Sequence, residues 1–186
     1  MKKTLVILTA LFLSACVSQP QLNAPTSVTH NKKTYHLATE QDLGSVVRYF
    51  YVLPGENTQN WQSAVEILLD RNKQNRTLQE RIDWRKQVYT NSGVKNFKLY
   101  DKKDTLYSYV IYEPTAGNKN WQVDVAKGMN VPYCGFVQYQ YSVKIPKKHK
   151  FTNMSNKKVL SHLKKYLIDK EINKLGKADW ALGCKH

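Results

Sequence analysis

The chain reads as a single α+β domain, an antiparallel sheet of about five strands with helices packed on one face. Three observations predict it. Residues 45–53 form a nearly unbroken β-branched and aromatic run, two apolar repeats of helical period follow, and from Val94 onward the apolar period shortens to two.

The elements follow in order. Residues 45–53, Ser-Val-Val-Arg-Tyr-Phe-Tyr-Val-Leu, are apolar on both faces and end at Pro54-Gly55, which predicts a strand covered on both sides. Trp61, Ala64, Val65, Leu68 and Leu69 fall at helical spacing and predict an amphipathic helix over 60–73. Thr77-Leu78-Gln79-Glu80 fits a capping box, with Thr77 as N-cap of a second helix and Gly93 placed to end it. Turn-bounded segments at 94–100, 105–112, 120–126 and 134–145 predict an antiparallel meander. Its last strand alternates cleanly, with Val137, Tyr139, Tyr141, Val143 and Ile145 on the core side. From Asn156 the chain is helical again, with Val159, Leu160, Leu163, Tyr166 and Leu167 on one side. The apolar direction then drifts towards Ile168, Ile172 and Leu175, so the helix either breaks near Asp169 or is buried on a rotating face.

The first residues precede any of this. Met1-Lys2-Lys3 is a charged start, residues 4–13 are a short apolar run, and Ser14-Ala15 are small residues before Cys16, the arrangement of a signal peptide over 1–15. The run is shorter than the ~20 residues a membrane-spanning helix needs. Leu13-Ser14-Ala15-Cys16 resembles the lipobox of bacterial lipoproteins. That resemblance covers only the leader. It implies a diacylglycerol on the Cys16 thiol, removal of the leader and acylation of the new amino terminus. Val17, where an Asp would favour inner-membrane retention, implies sorting to the outer membrane, with the domain facing the periplasm or the cell surface. Residues 16–33, rich in Ser, Gln, Asn, Thr and Pro, then read as a lipidated flexible tether able to reach about 55 Å, leaving 34–186 as the domain.

With Cys16 assigned to lipid, Cys134 and Cys184 remain in an oxidising compartment, where a disulfide is the simplest outcome; two buried free thiols are the alternative. Neither cysteine sits in a Cys-His motif that would mark a catalytic thiol.

The chain holds 29 Lys and Arg against 14 Asp and Glu, a net charge of +15. Residues 144–185 carry twelve lysines against Asp169, Glu171 and Asp179. Lys147, Lys148, Lys150, Lys157, Lys158, Lys164 and Lys165 are therefore candidates for a polyanion-binding surface, or equally for a solvated helix face. Lysine without arginine attracts anions but gives little bidentate recognition. The tyrosines of the sheet fit cross-strand packing better than stacking on bases, and export makes nucleic acid an improbable partner. The carboxylate pairs Glu66/Asp70 and Glu80/Asp83 come without a motif. The five histidines show no metal-ligand spacing, and eight glycines make no phosphate loop, so no metal or cofactor is expected.

The expectation is a lipid-anchored, non-catalytic binding or structural component of the bacterial envelope that recruits or braces another envelope protein. A second reading has residues 144–185 binding an anionic glycan or lipid headgroup. A third is an enzyme whose site is assembled in space, with Glu66, Glu80 or His36 in a pocket.

Overall fold

The β-branched run does form a strand, and it is one of many. A computed structural model describes residues 19–146, 151–178 and 182–185. In chain order the elements are β1 (Gln21–Leu22), β2 (Ser27–His30), β3 (Lys33–Asp42), β4 (Val46–Val52), β5 (Ser63–Asp70), α1 (Leu78–Asn91), β6 (Asn96–Lys102), β7 (Thr105–Tyr112), β8 (Asn120–Val131) and β9 (Gly135–Pro146). They continue with α2 (Asn156–Leu163), a π-helical turn (Lys164–Ile168), α3 (Asp169–Lys177) and β10 (Cys184–Lys185).

Strands β2 to β9 form one antiparallel sheet in the order β2-β3-β4-β5-β9-β8-β7-β6, curled as a half-barrel, while β1 and β10 make a separate ribbon. Two four-stranded meanders meet where Val65 of β5 faces Tyr141 of β9. Helix α1 carries the chain from the centre of the sheet to its far edge.

The five-stranded α+β expectation is therefore corrected: the protein is mostly β, with eight strands in its main sheet. Two misreadings account for it. The helix expected over 60–73 is strand β5, which is buried along nearly all its length. A strand covered on both faces reads as a continuous apolar run, and chance placed its residues at helical spacing. The polar stretch expected as a tether is folded from Gln21 onward. It supplies β1, β2 and the first residue of β3, with Leu22 and His30 buried.

The helices also lie on both faces rather than one. Ile82 of α1 packs with Leu99, Leu106 and Phe136, whereas Val159, Leu163, Ile168 and Leu175 pack with Trp121, Val123 and Val125 on the opposite face. On that second face the β1–β10 ribbon covers β4 and β5, where Leu22 joins Val47, Tyr49, Leu69 and Val137.

The capping box at the start of α1 forms as its residues predict. Thr77 Oγ1 accepts from Glu80 N, and Glu80 Oε2 accepts from Thr77 N at 2.8 Å. The apolar drift in the last helix is resolved without a break. Asp169 N donates to Lys164 O, a five-residue step that widens one turn and brings Ile168 beneath Leu163, where an α-turn would swing it aside.

Candidate functional site

The lysine candidates divide in two. Lys147, Lys148 and Lys150 lie outside the described residues, as does Cys16. Lys157, Lys158, Lys164 and Lys165 are all exposed on α2 and the π turn. Pairs seven residues apart share one side of a helix, so these four form a basic strip opposite the buried Val159 and Leu163. Lys144, counted with them, instead stands over the Trp61 ring at 3.7 Å.

A second site comes from residues that spacing in the sequence does not link. Between α3 and β2 a cleft of about 430 Å³ opens onto the sheet. Its apolar walls include Val28, Ile67, Leu175 and Leu182, and its polar groups His30, Asn31, Lys127, Tyr139 and Lys174. Each comes from a strand, turn or helix fixed independently. His30 ends β2, Asn31 follows in the turn with φ +52°, Tyr139 and Lys127 sit on the core face of β9 and β8, and Lys174 is on α3.

A carboxylate organises one wall. His30 Nε2 lies 2.9 Å from Glu171 Oε2, while Glu171 Oε1 accepts from Lys174 Nζ at 2.9 Å and from Asn31 Nδ2 at 3.1 Å. Lys174 Nζ also donates to Asn31 Oδ1. With the Nε2 proton directed at Glu171, His30 Nδ1 accepts from the Tyr139 hydroxyl at 3.0 Å, and the Tyr141 ring stacks on the imidazole at 4.1 Å. Burial pushes the Glu171 carboxyl up, but hydrogen bonds from His30, Lys174 and Asn31 outweigh it and bring it to about 2. Burial raises the Tyr139 phenol above its ordinary value, so it stays a neutral donor. Lys127 Nζ donates to Ala178 O at 2.6 Å, tying the end of α3 to β8.

Every strong acceptor in this wall is thus already occupied from within the protein. Glu171 receives three donors and His30 is engaged at both nitrogens, by Glu171 on one side and the Tyr139 hydroxyl on the other. Among the described residues no group of three or more His, Cys, Asp or Glu is placed to hold a metal ion.

The opposite face of the sheet holds a polar band. Glu66, read as a helical partner of Asp70, instead accepts from Arg48 across β4 and β5. Asp70 accepts from the buried Arg81 at 2.5 Å. Asp124 accepts from Gln122 Nε2 at 2.9 Å, and Arg85 reaches from α1 to donate to Gln138 Oε1. Burial lifts the Asp124 carboxyl to about 6, hydrogen bonds from Gln122 and Ser142 oppose the rise, and the Glu66 charge adds to it.

Cys134 and Cys184 stand with Cα atoms 5.4 Å apart, the separation a disulfide spans. Among the described residues no helix is long and apolar enough to cross a membrane.

A protein-family model matches residues 22–180. An uncharacterized protein of Haemophilus influenzae (strain ATCC 51907 / DSM 11121 / KW20 / Rd) is 43% identical over 192 residues, an alignment covering 100% of both chains. No solved structure matches.

Proposed function

The chain belongs to the family whose model spans residues 22–180, and from that premise we propose that it is a lipid-anchored, non-catalytic binding component of the bacterial envelope. Cys16 carries the lipid, and Cys134 and Cys184 form a disulfide in the oxidising compartment the leader implies. The observation that carries the binding role is the cleft beside His30. Its size falls in the range of small-ligand pockets, its walls are largely apolar, and its few polar groups come from rigid elements. The His30–Glu171–Tyr139 network holds α3 against β2 and β9, which fixes the polar wall of the cleft in place.

The occupant that fits is an apolar side chain or short segment of another envelope protein, with an acidic group near Lys174 and Lys127. A photo-crosslinking residue at Thr29, on the cleft wall, is expected to capture a discrete envelope protein in intact cells. The same group at Val88, exposed on α1, is expected to leave that protein uncaptured. Equal capture from both positions removes the cleft from the proposal.

A second reading rests on the strip formed by Lys157, Lys158, Lys164 and Lys165, exposed together on one helical side. It binds an anionic glycan or lipid headgroup. Affinity for lipopolysaccharide or peptidoglycan then falls steeply with ionic strength and is lost when the four lysines are reversed to glutamate; binding that survives the reversal sinks it.

A further inference from the structure

The chain is fixed within a few residues of Cys16. Pro20 O accepts from Arg71 Nε at 3.0 Å, Gln21 and Leu22 pair with Lys185 and Cys184, and Leu22 is buried. From Cys16 to Pro20 are four peptide steps, which span at most about 14 Å however they run. A tether expected to hold the domain about 55 Å from its anchor is instead too short to lift it off the surface.

Arg71 also identifies which end of the sheet is held down. It leaves β5 beside the β3–β4 turn, where its N–H donates to Ser45 O and its guanidinium to Gly44 O and both oxygens of Asp42. On its other side lies Gly135, whose missing Cβ would fall 2.9 Å from Arg71 C, so the β8–β9 turn is there too. At the tips of these two turns stand Leu43, 65% exposed, and Tyr133, 83% exposed. Lys73 and Lys185 are exposed at the same end.

Tyr133 holds φ +61°, a conformation that asparagine or glycine adopts more easily than a bulky aromatic residue. Its ring contributes little to the core. An aromatic ring suits the headgroup layer, a leucine at the same end of the sheet adds apolar area, and lysines at that end suit anionic headgroups.

We propose that this end of the half-barrel is a membrane-seating surface, with Leu43 and Tyr133 in the headgroup layer of the bilayer that holds the Cys16 lipid. The seating rests on the lipid-anchored reading of Cys16 and adds an orientation to it. The bilayer then has two holds on the protein, a lipid and a side-chain patch, and the far-end loops over 53–62 and 113–119 point away from the membrane.

The test uses the mature lipidated protein in phosphatidylethanolamine and phosphatidylglycerol vesicles, spin-labelled at Leu43→Cys or, at the far end, Lys119→Cys. Collision of the label at 43 with a water-soluble nickel relaxant is expected to fall about threefold or more relative to 119, with a matching rise in collision with oxygen. Tyr133→Asn, which suits the backbone there, is expected to leave the fold intact and to reopen the label at 43 to water. Mass spectrometry of the Cys16 peptide separates the two ways to fail. Lipid present with labels at 43 and 119 equally open to water overturns the seating alone, while absence of lipid overturns the anchored reading and the seating with it.

Discussion

His30 Nε2 and Glu171 Oε2 lie 2.9 Å apart and join β2, near the start of the chain, to α3, near its end. The carboxylate is nearly fully buried, so its charge is sustained by its donors rather than by water. The native Glu171 carboxyl is depressed to about 2 from an ordinary 4.5. Its contribution to stability is complete above the unfolded value and is lost as pH falls from about 4.5 to about 2. Glu171→Gln is expected to cost about 2–3 kcal/mol at pH 7 by urea denaturation. The gap between variant and wild type is expected to close on acidification through that window; a gap that persists unchanged at pH 2 assigns the loss to packing instead.

Asp124 predicts the reverse sign. Burial raises its native pKa from 3.8 to about 6, so the folded state holds the proton more tightly than the unfolded one. Stability from this group is greatest below about 3.8, declines as pH rises to about 6, and stays reduced above that. Asp124→Asn keeps the acceptor for Gln122 and removes the charge. It is expected to raise stability at pH 7.5 by about 1–3 kcal/mol and to give no gain at pH 4. Paired urea midpoints at the two pH values decide it, and a wild type more stable than the variant at pH 7.5 contradicts the burial argument.

Local signals in the sequence carried as far as local physics reaches. Thr77 and Glu80 satisfy each other's backbone over four residues, and the alternation in β9 is written in consecutive side chains, so both were legible. β5 is not, because a strand buried along nearly all its length, with the ribbon on one side and Glu66 and Asp70 paired to arginines on the other, has no wet face to mark its period. β3 is hidden for the opposite reason: only Tyr35 is fully buried in a polar run. The wall of the cleft joins His30 to Glu171 across 141 positions, and no spacing rule reaches across that distance. The faint local signal is Glu171 and Lys174, three apart on one helix.

Gly135 predicts a sharp packing limit. Its φ is +120°, and a Cβ there would stand 2.4 Å from Asp70 O and 2.9 Å from Arg71 C, both backbone atoms that cannot yield cheaply. Gly135→Ala is expected to destabilise by about 3 kcal/mol or more, through strained backbone and displacement of β5 from β9. Gly117→Ala, where nothing lies within 4 Å, serves as the control and is expected to change the melting temperature little. Equal melting temperatures for the two variants would show that the β8–β9 turn moves freely.

Cys134 and Cys184 bear on the same end of the molecule. β1 pairs with β10 and with no strand of the large sheet, so the first folded residues depend on the last ones being held in place. A disulfide closing 50 residues contributes about 4 kcal/mol in the chain-entropy model. Cys184→Ser is therefore expected to lower global stability by an amount of that order, and to do so unevenly. Deuterium uptake over residues 19–24 and 182–185 is expected to rise most, while α1, on the other face, keeps its protection. Lengthening the free segment in this way also lengthens the tether behind Cys16, so the label at Leu43 is expected to become more open to water in the same variant. A variant with unchanged uptake at both ends would show that hydrogen bonds and Leu22 burial hold the ribbon without the sulfur bridge.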